Sequence, residues 1–90
     1  MEKTIERVKR VISYSELKAL RVLADEIGEN ASAQLNIKTF SDKVGVARSV
    51  ATSALRLLEV VGIVETRHMG MKGTYIKIID RQALQEIIKE

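Results

Sequence analysis

A mainly α domain with one small β-hairpin is the fold class that this sequence predicts, and three observations predict it. Apolar residues recur at helical spacing in five separate stretches of the 90-residue chain. Two of those stretches meet at Gly45 with the spacing of a helix-turn-helix. The second is followed at once by two strand-like runs whose connection is bracketed by Gly70 and Gly73. A hairpin directly after the second helix of such a pair is a wing, so the chain reads as a winged helix-turn-helix. Residues 1–12 form an N-terminal linker helix in this reading, and residues 13–90 form the domain.

Each element has a local reason. Ile5, Val8 and Ile12 predict an amphipathic helix over 3–12. So short a helix is marginal alone, and its partner is its own domain, a second copy or an upstream domain. Ser13 and Glu16 form the pattern of a capping box. The helix they start runs to about Ile27, with Leu17, Leu20, Ala24 and Ile27 inward and Gly28 as a left-handed terminator. Glu29 to Leu35, small and polar, reads as a loop. Asn36 caps the next helix, which turns Ile37, Phe40 and Val44 inward. Ser41 is small enough for a close helix crossing, Gly45 makes the turn, and Val46 plugs the angle between the helices.

Residues 47–60 then form the longer second helix, closed at Gly62. Ala47 stands where a capping Ser or Thr would contribute ~1 kcal/mol. Ile63 to Arg67 and Thr74 to Ile79 alternate as strands, and Gly70 and Gly73 suit a tight turn with positive φ. Asp80 caps a closing helix with Leu84, Ile87 and Ile88 on one side.

Composition narrows the function. The chain has 46% hydrophobic residues, no cysteine and no run approaching the ~20 apolar residues of a membrane helix. Disulfides and thiolate metal sites are excluded, the N-terminus lacks a signal-peptide layout, and a cytoplasmic protein is expected. The net charge is only +3, but it is unevenly placed. Residues 1–37 balance six bases against six acids, whereas residues 38–81 hold eight bases against four acids. A basic half of this kind suits a phosphate-facing surface.

The helix over 47–60 is the sharpest signal. Val50, Ala51, Ala54, Leu55, Leu58 and Val61 gather on one side, and Arg48, Ser49, Thr52, Ser53 and Arg56 on the other. A plain surface helix carries long mixed charges outward. Short hydroxyls and arginines without an acid suit base edges and phosphates. The candidate DNA-binding residues are therefore Lys38, Thr39, Arg48, Ser49, Thr52, Ser53, Arg56, Arg67 and Lys72. Arg48 is the first choice for a base contact, with a phosphate clamp as the alternative. Ser49, Thr52 and Ser53 suit phosphate, base edges or a thymine methyl, against the plain reading of a helix surface. Arg56 is aimed at phosphate. Lys72, at the wing tip, is placed on the DNA backbone or in the minor groove, or else simply in water. Arg67, beside the wing, is weaker. Lys38 and Thr39 open the preceding helix, where side chain and amides suit phosphate. His68 is the only histidine, so no zinc site or hydrolytic dyad can be assembled and no enzyme is expected. It reads as a solvent-facing hairpin residue, with a minor-groove contact as the alternative. Met69 and Met71 read as packing or wing-tip residues.

With these residues in view, the chain resembles the C-terminal DNA-binding domain of the CodY family of nutrient-sensing transcriptional repressors. Ser13-Tyr14-Ser15-Glu16-Leu17, Asp42-Lys43-Val44-Gly45-Val46-Ala47-Arg48-Ser49-Val50 and Ala54-Leu55-Arg56 carry part of the likeness. Gly62-Ile63-Val64-Glu65 and Gly70-Met71-Lys72-Gly73-Thr74-Tyr75-Ile76-Lys77 complete it, and the hairpin string is the most specific. The resemblance spans roughly residues 13–79 and implies a homodimeric repressor of AT-rich inverted repeats in double-stranded DNA, with no membrane partner. It also implies a GAF-type N-terminal sensor for branched-chain amino acids, with GTP as a second effector in some members. No part of this chain matches that sensor, so no cofactor is expected here and the chain reads as an excised fragment. Ala47 stands in place of Thr, Ser53 in place of Asn and Leu57 in place of a basic residue, and the loop near 29–36 is about one residue longer. These departures bear on the operator sequence. The alternative function is a winged-helix protein–protein interaction or dimerisation module, favoured by apolar Leu57 and Val60 near the outer face.

Overall fold

The computed structural model describes residues 2–89. Among these residues there are five helices, α1 (Glu2–Val11), α2 (Tyr14–Ile27), α3 (Ile37–Val44), α4 (Arg48–Val60) and α5 (Arg81–Ile88), and one small sheet. Its strands are β1 (Ser32–Leu35), β2 (Val64–His68) and β3 (Thr74–Ile78), with β3 in the centre and both neighbours antiparallel to it. The predicted winged helix-turn-helix is therefore the observed fold.

The caps fall where the sequence predicts them. The Glu16 amide donates to Ser13 Oγ at 3.1 Å, and the Ser13 amide donates to Glu16 Oε1 at 2.9 Å. Asn36 Oδ1 accepts from the Thr39 amide at 3.0 Å, and Asp80 Oδ1 from the Ala83 amide at 3.0 Å. Gly45 takes the left-handed conformation, φ 87 and ψ 32, which lets α4 leave α3 sharply. Beside it, buried Ser41 donates to the Lys38 carbonyl, so the close helix crossing leaves no hydroxyl unpaired.

The core is aliphatic. Leu20, Leu23 and Ile27 of α2, Leu55 and Leu58 of α4, Ile63, Ile76 and Leu84 are all buried. Val8 of α1 is only 2% exposed. α1 packs against α5 of the same domain.

Three expectations need correction. The loop predicted over Glu29 to Leu35 contains β1, which pairs Leu35 with Thr74 and Ser32 with Lys77. Ser-Ala-Gln-Leu has no β-branched residue, so its extension comes from the open edge of β3 rather than from propensity. Gly28 ends α2 with φ 59 and ψ −129, a positive-φ cap but not a left-handed one. In α2, Ala19 and Leu23 are buried whereas Leu17 and Ala24 are only partly so, because α4 and α5 both lean on this helix.

Candidate nucleic-acid interface

The amphipathic face of α4 is turned as its sequence predicts. Ala51, Ala54, Leu55 and Leu58 are buried, Arg48, Ser49, Ser53 and Arg56 are exposed, and Thr52 is half-buried. Ala47 supplies no side-chain cap to this helix. The first turn of α4 therefore presents its amides and Arg48 beside the start of α3.

An open cleft of about 630 Å³ lies between these two helix starts and the turn end of the hairpin. Lys38, Arg48, Ser49 and Thr52 line it together, with Asn36, His68, Gly70 and Gly73. Four of the nine candidates thus share one concavity. Arg56 lines its narrower continuation between α4 and β2, next to Glu59 and Thr66. That acid is engaged by Thr66. Glu59 Oε2 accepts from the Thr66 hydroxyl at 2.6 Å and from the Thr66 amide at 3.3 Å. The Thr66 hydroxyl above all holds the Glu59 carboxyl below its ordinary value.

The other candidates are distributed differently. Thr39 is exposed, but its amide is already given to Asn36, so it is not available to a phosphate as the sequence reading had it. Ser53 is exposed, yet its hydroxyl donates to Glu16 Oε2 at 2.7 Å, tying α4 to the first turn of α2. Burial pushes the Glu16 carboxyl up, and the bonds from Ser53 and Ser13 outweigh it, leaving the acid below its ordinary value. An ionised carboxylate beside Ser53 repels phosphate there. Arg67 lies on the sheet face turned away from α4, since Val64 and Thr66 of the same strand face inward and strand side chains alternate. It stands in register with Tyr75, and Glu65 with Lys77.

Lys72 is exposed at the end of the single 3₁₀ turn, Gly70–Lys72, that forms the wing tip. Its carbonyl accepts from the Gln34 side chain of β1. Gly73 follows with φ 93, and a Cβ there would lie 2.6 Å from the Leu35 carbonyl oxygen. The missed strand thus holds the wing at two points. Sequence reasoning overlooked Gln34 and Gly73 in this role, because their partners become visible only once β1 is paired.

Two bases counted toward the positive half serve the fold instead. Lys43 pairs with Glu26, and the Arg81 guanidinium donates to the carbonyls of Gly28 and Asn30, closing the loop after α2. The remaining cations of residues 38–81 are Lys38, Arg48 and Arg56 along the cleft, Lys72 at the tip, and Arg67 and Lys77 on the outer sheet face.

A helix pair crossed at a left-handed glycine, with the second helix's polar face open and a hairpin beside it, defines a winged helix-turn-helix domain. Within that class the chain belongs to the CodY helix-turn-helix domain family, which matches residues 31–90. Among its relatives, the global transcriptional regulator CodY of Exiguobacterium sp. is 46% identical over 78 residues. Those of Bacillus mycoides and Clostridium beijerinckii are each 44% identical over the same length. In all three the similarity takes in 87% of this chain and 30% of the relative. The chain therefore spans about a third of the length of these relatives.

Proposed function

We propose that this domain binds double-stranded DNA as the reading head of a CodY-type transcriptional repressor. The polar face of α4 enters the major groove, and the wing lies on the backbone or in the minor groove. The observation that carries this is the shared cleft. Lys38, Arg48, Ser49 and Thr52 converge at two helix N-termini, where backbone amides and cations both favour phosphate. Arg48, in the first turn of α4, reads a base edge, most simply guanine through two parallel hydrogen bonds. Ser49 and Thr52 follow the groove wall, Arg56 and Lys38 take flanking phosphates, and Lys72 contacts the backbone beside the wing.

The family further supports an AT-rich inverted repeat as operator and a homodimer as the binding unit. One domain covers one half-site, so the isolated chain binds weakly and two linked copies bind strongly. Branched-chain amino acids and GTP, as effectors, belong with a sensor outside these 90 residues. A protein–protein module is less well supported, because Leu57 packs against the core and leaves Val60 as the exposed apolar residue of that pair.

Selection of bound duplexes from a random pool, followed by salt titration on the recovered sequence, tests the proposal. Binding is expected to weaken with salt at a slope near −0.9 per phosphate contacted. Arg48→Ala is expected to lose ~1–3 kcal/mol of discrimination at one base-pair position. A salt-independent interaction would reject the DNA reading, and an unchanged base preference in Arg48→Ala would reject the role of Arg48.

A further inference from the structure

His68 stands on the last position of β2, opposite Thr74 and on the strand face that carries Val64 and Thr66 toward α4. It is exposed, and it lines both the open cleft and its continuation along α4. Its Nδ1 lies 3.3 Å from the Thr74 hydroxyl. With Nδ1 occupied there, the ring has Nε2 left to offer a ligand in the cleft.

The charges around it come from several elements. Lys38 of α3 and Arg48 of α4 line the same cleft, and Arg56 and Glu59 of α4 line the continuation. On β2 itself, Glu65 and Arg67 belong to the opposite face. Glu59 is the competing anion, close enough to feel the imidazolium charge, but its carboxylate is already engaged by Thr66.

We propose that His68 is a DNA contact of this domain, donating from Nε2 to a backbone phosphate between the groove read by α4 and the wing. The proposal rests on the DNA-binding reading and adds a residue and a property to it. Protonation adds an ion pair to a hydrogen bond that the anionic phosphate already strengthens, with Nδ1–H then donating to Thr74. Phosphate next to the ring favours the charged form, so proton uptake and DNA binding support each other. Histidine changes charge near neutral pH, and this chain has one. Its affinity for DNA therefore rises as the pH falls from about 8 to about 6.

The test is fluorescence anisotropy of this chain with a duplex recovered from the random-pool selection, at those two pH values and constant ionic strength. Wild-type protein is expected to bind about two- to fivefold tighter at the lower pH, the range of an exposed ion pair. Its salt slope should steepen there by up to about 0.9, one phosphate contact. His68→Gln is expected to bind with no such difference, whereas Glu59→Gln retains it. In the NMR spectrum the single imidazole signal should titrate at higher pH when DNA is added. Wild-type binding without pH dependence, an unchanged dependence in His68→Gln, or its loss in Glu59→Gln would overturn the role of His68 alone. Failure of the wild-type chain to bind any duplex would overturn the DNA reading and this proposal together.

Discussion

Replacing Gly73 by alanine should be among the most damaging small changes in the hairpin. Gly73 has φ 93 and ψ −152, a conformation that side chains rarely adopt. Holding a non-glycine residue there costs about 1–3 kcal/mol. The new methyl group would also lie 2.6 Å from the Leu35 carbonyl oxygen and 3.1 Å from its carbon. These are backbone atoms, so no side-chain rotation relieves the overlap. Strand β1 must move, which loosens the Leu35–Thr74 rung and the bond from Gln34 to the Lys72 carbonyl. At about 0.5–1.5 kcal/mol for each of these two interactions lost, the total destabilisation is about 2–6 kcal/mol. For a domain of this size that lowers Tm by about 8–48 °C. Gly70→Ala is the matched control. It lies in the same loop with φ 61, but its added Cβ meets nothing within 4 Å. The left-handed backbone alone costs about 1–2 kcal/mol, or about 5–15 °C. Thermal unfolding followed by circular dichroism measures both, and amide exchange at residues 32–35 reports on β1. Equal melting temperatures for the two variants would refute the close approach between the wing and β1.

Further predictions concern the wing and the link between α2 and α4. Lys72→Ala should weaken DNA binding about equally for all sequences and reduce the salt slope by about 1; a slope left intact removes Lys72 from the phosphate contacts. Ser53→Ala should destabilise the domain near neutral pH by about 1 kcal/mol, because Glu16 loses a hydrogen bond. The Glu16 carboxyl is held below its ordinary value, so the stability it contributes is present above that value and is lost as pH falls through the lower folded one. The gap between wild type and Ser53→Ala should therefore narrow in acid. Denaturant unfolding at several pH values measures it, and a constant gap would show that the Glu16 bond does not carry the effect.

Much of this domain was legible because its decisive features are local. The Ser13–Glu16 box, the Asn36 and Asp80 caps and the Gly45 turn each depend on residues a few positions apart. The apolar stripe of α4 is set by helical period alone. What escaped the sequence is what depends on distant partners. Strand β1 exists because β3 offers it an edge, not because Ser32 to Leu35 prefer extension. Ser53 looks like its neighbours on the α4 wheel, yet Glu16, 37 positions away, takes its hydroxyl. Lys43 and Arg81 counted as basic surface until Glu26 and the carbonyls of Gly28 and Asn30 were found to hold them. His68 is exposed, as a solvent-facing hairpin residue should be, but its closeness to the Thr74 hydroxyl depends on the strand register.

The missed strand also explains how the wing keeps its place relative to the reading helix. Leu35 pairs with Thr74 at the root of the wing, and the next residue, Asn36, caps α3. Gln34, one residue earlier, holds the Lys72 carbonyl at the tip. Three consecutive residues therefore join the wing to the helix that positions α4 through the Gly45 turn. A hairpin fixed only by its own two strands would pivot easily, since an isolated hairpin is marginal in water. With β1 added, the tip and the first turn of α4 belong to one framework. For the proposed duplex contacts, this means that Lys72 and Arg48 meet the DNA at a set separation, and little ordering entropy is lost from the wing on binding. Gln34→Ala, which frees the tip while leaving every proposed contact residue in place, would then weaken binding through the wing's mobility rather than through a lost contact.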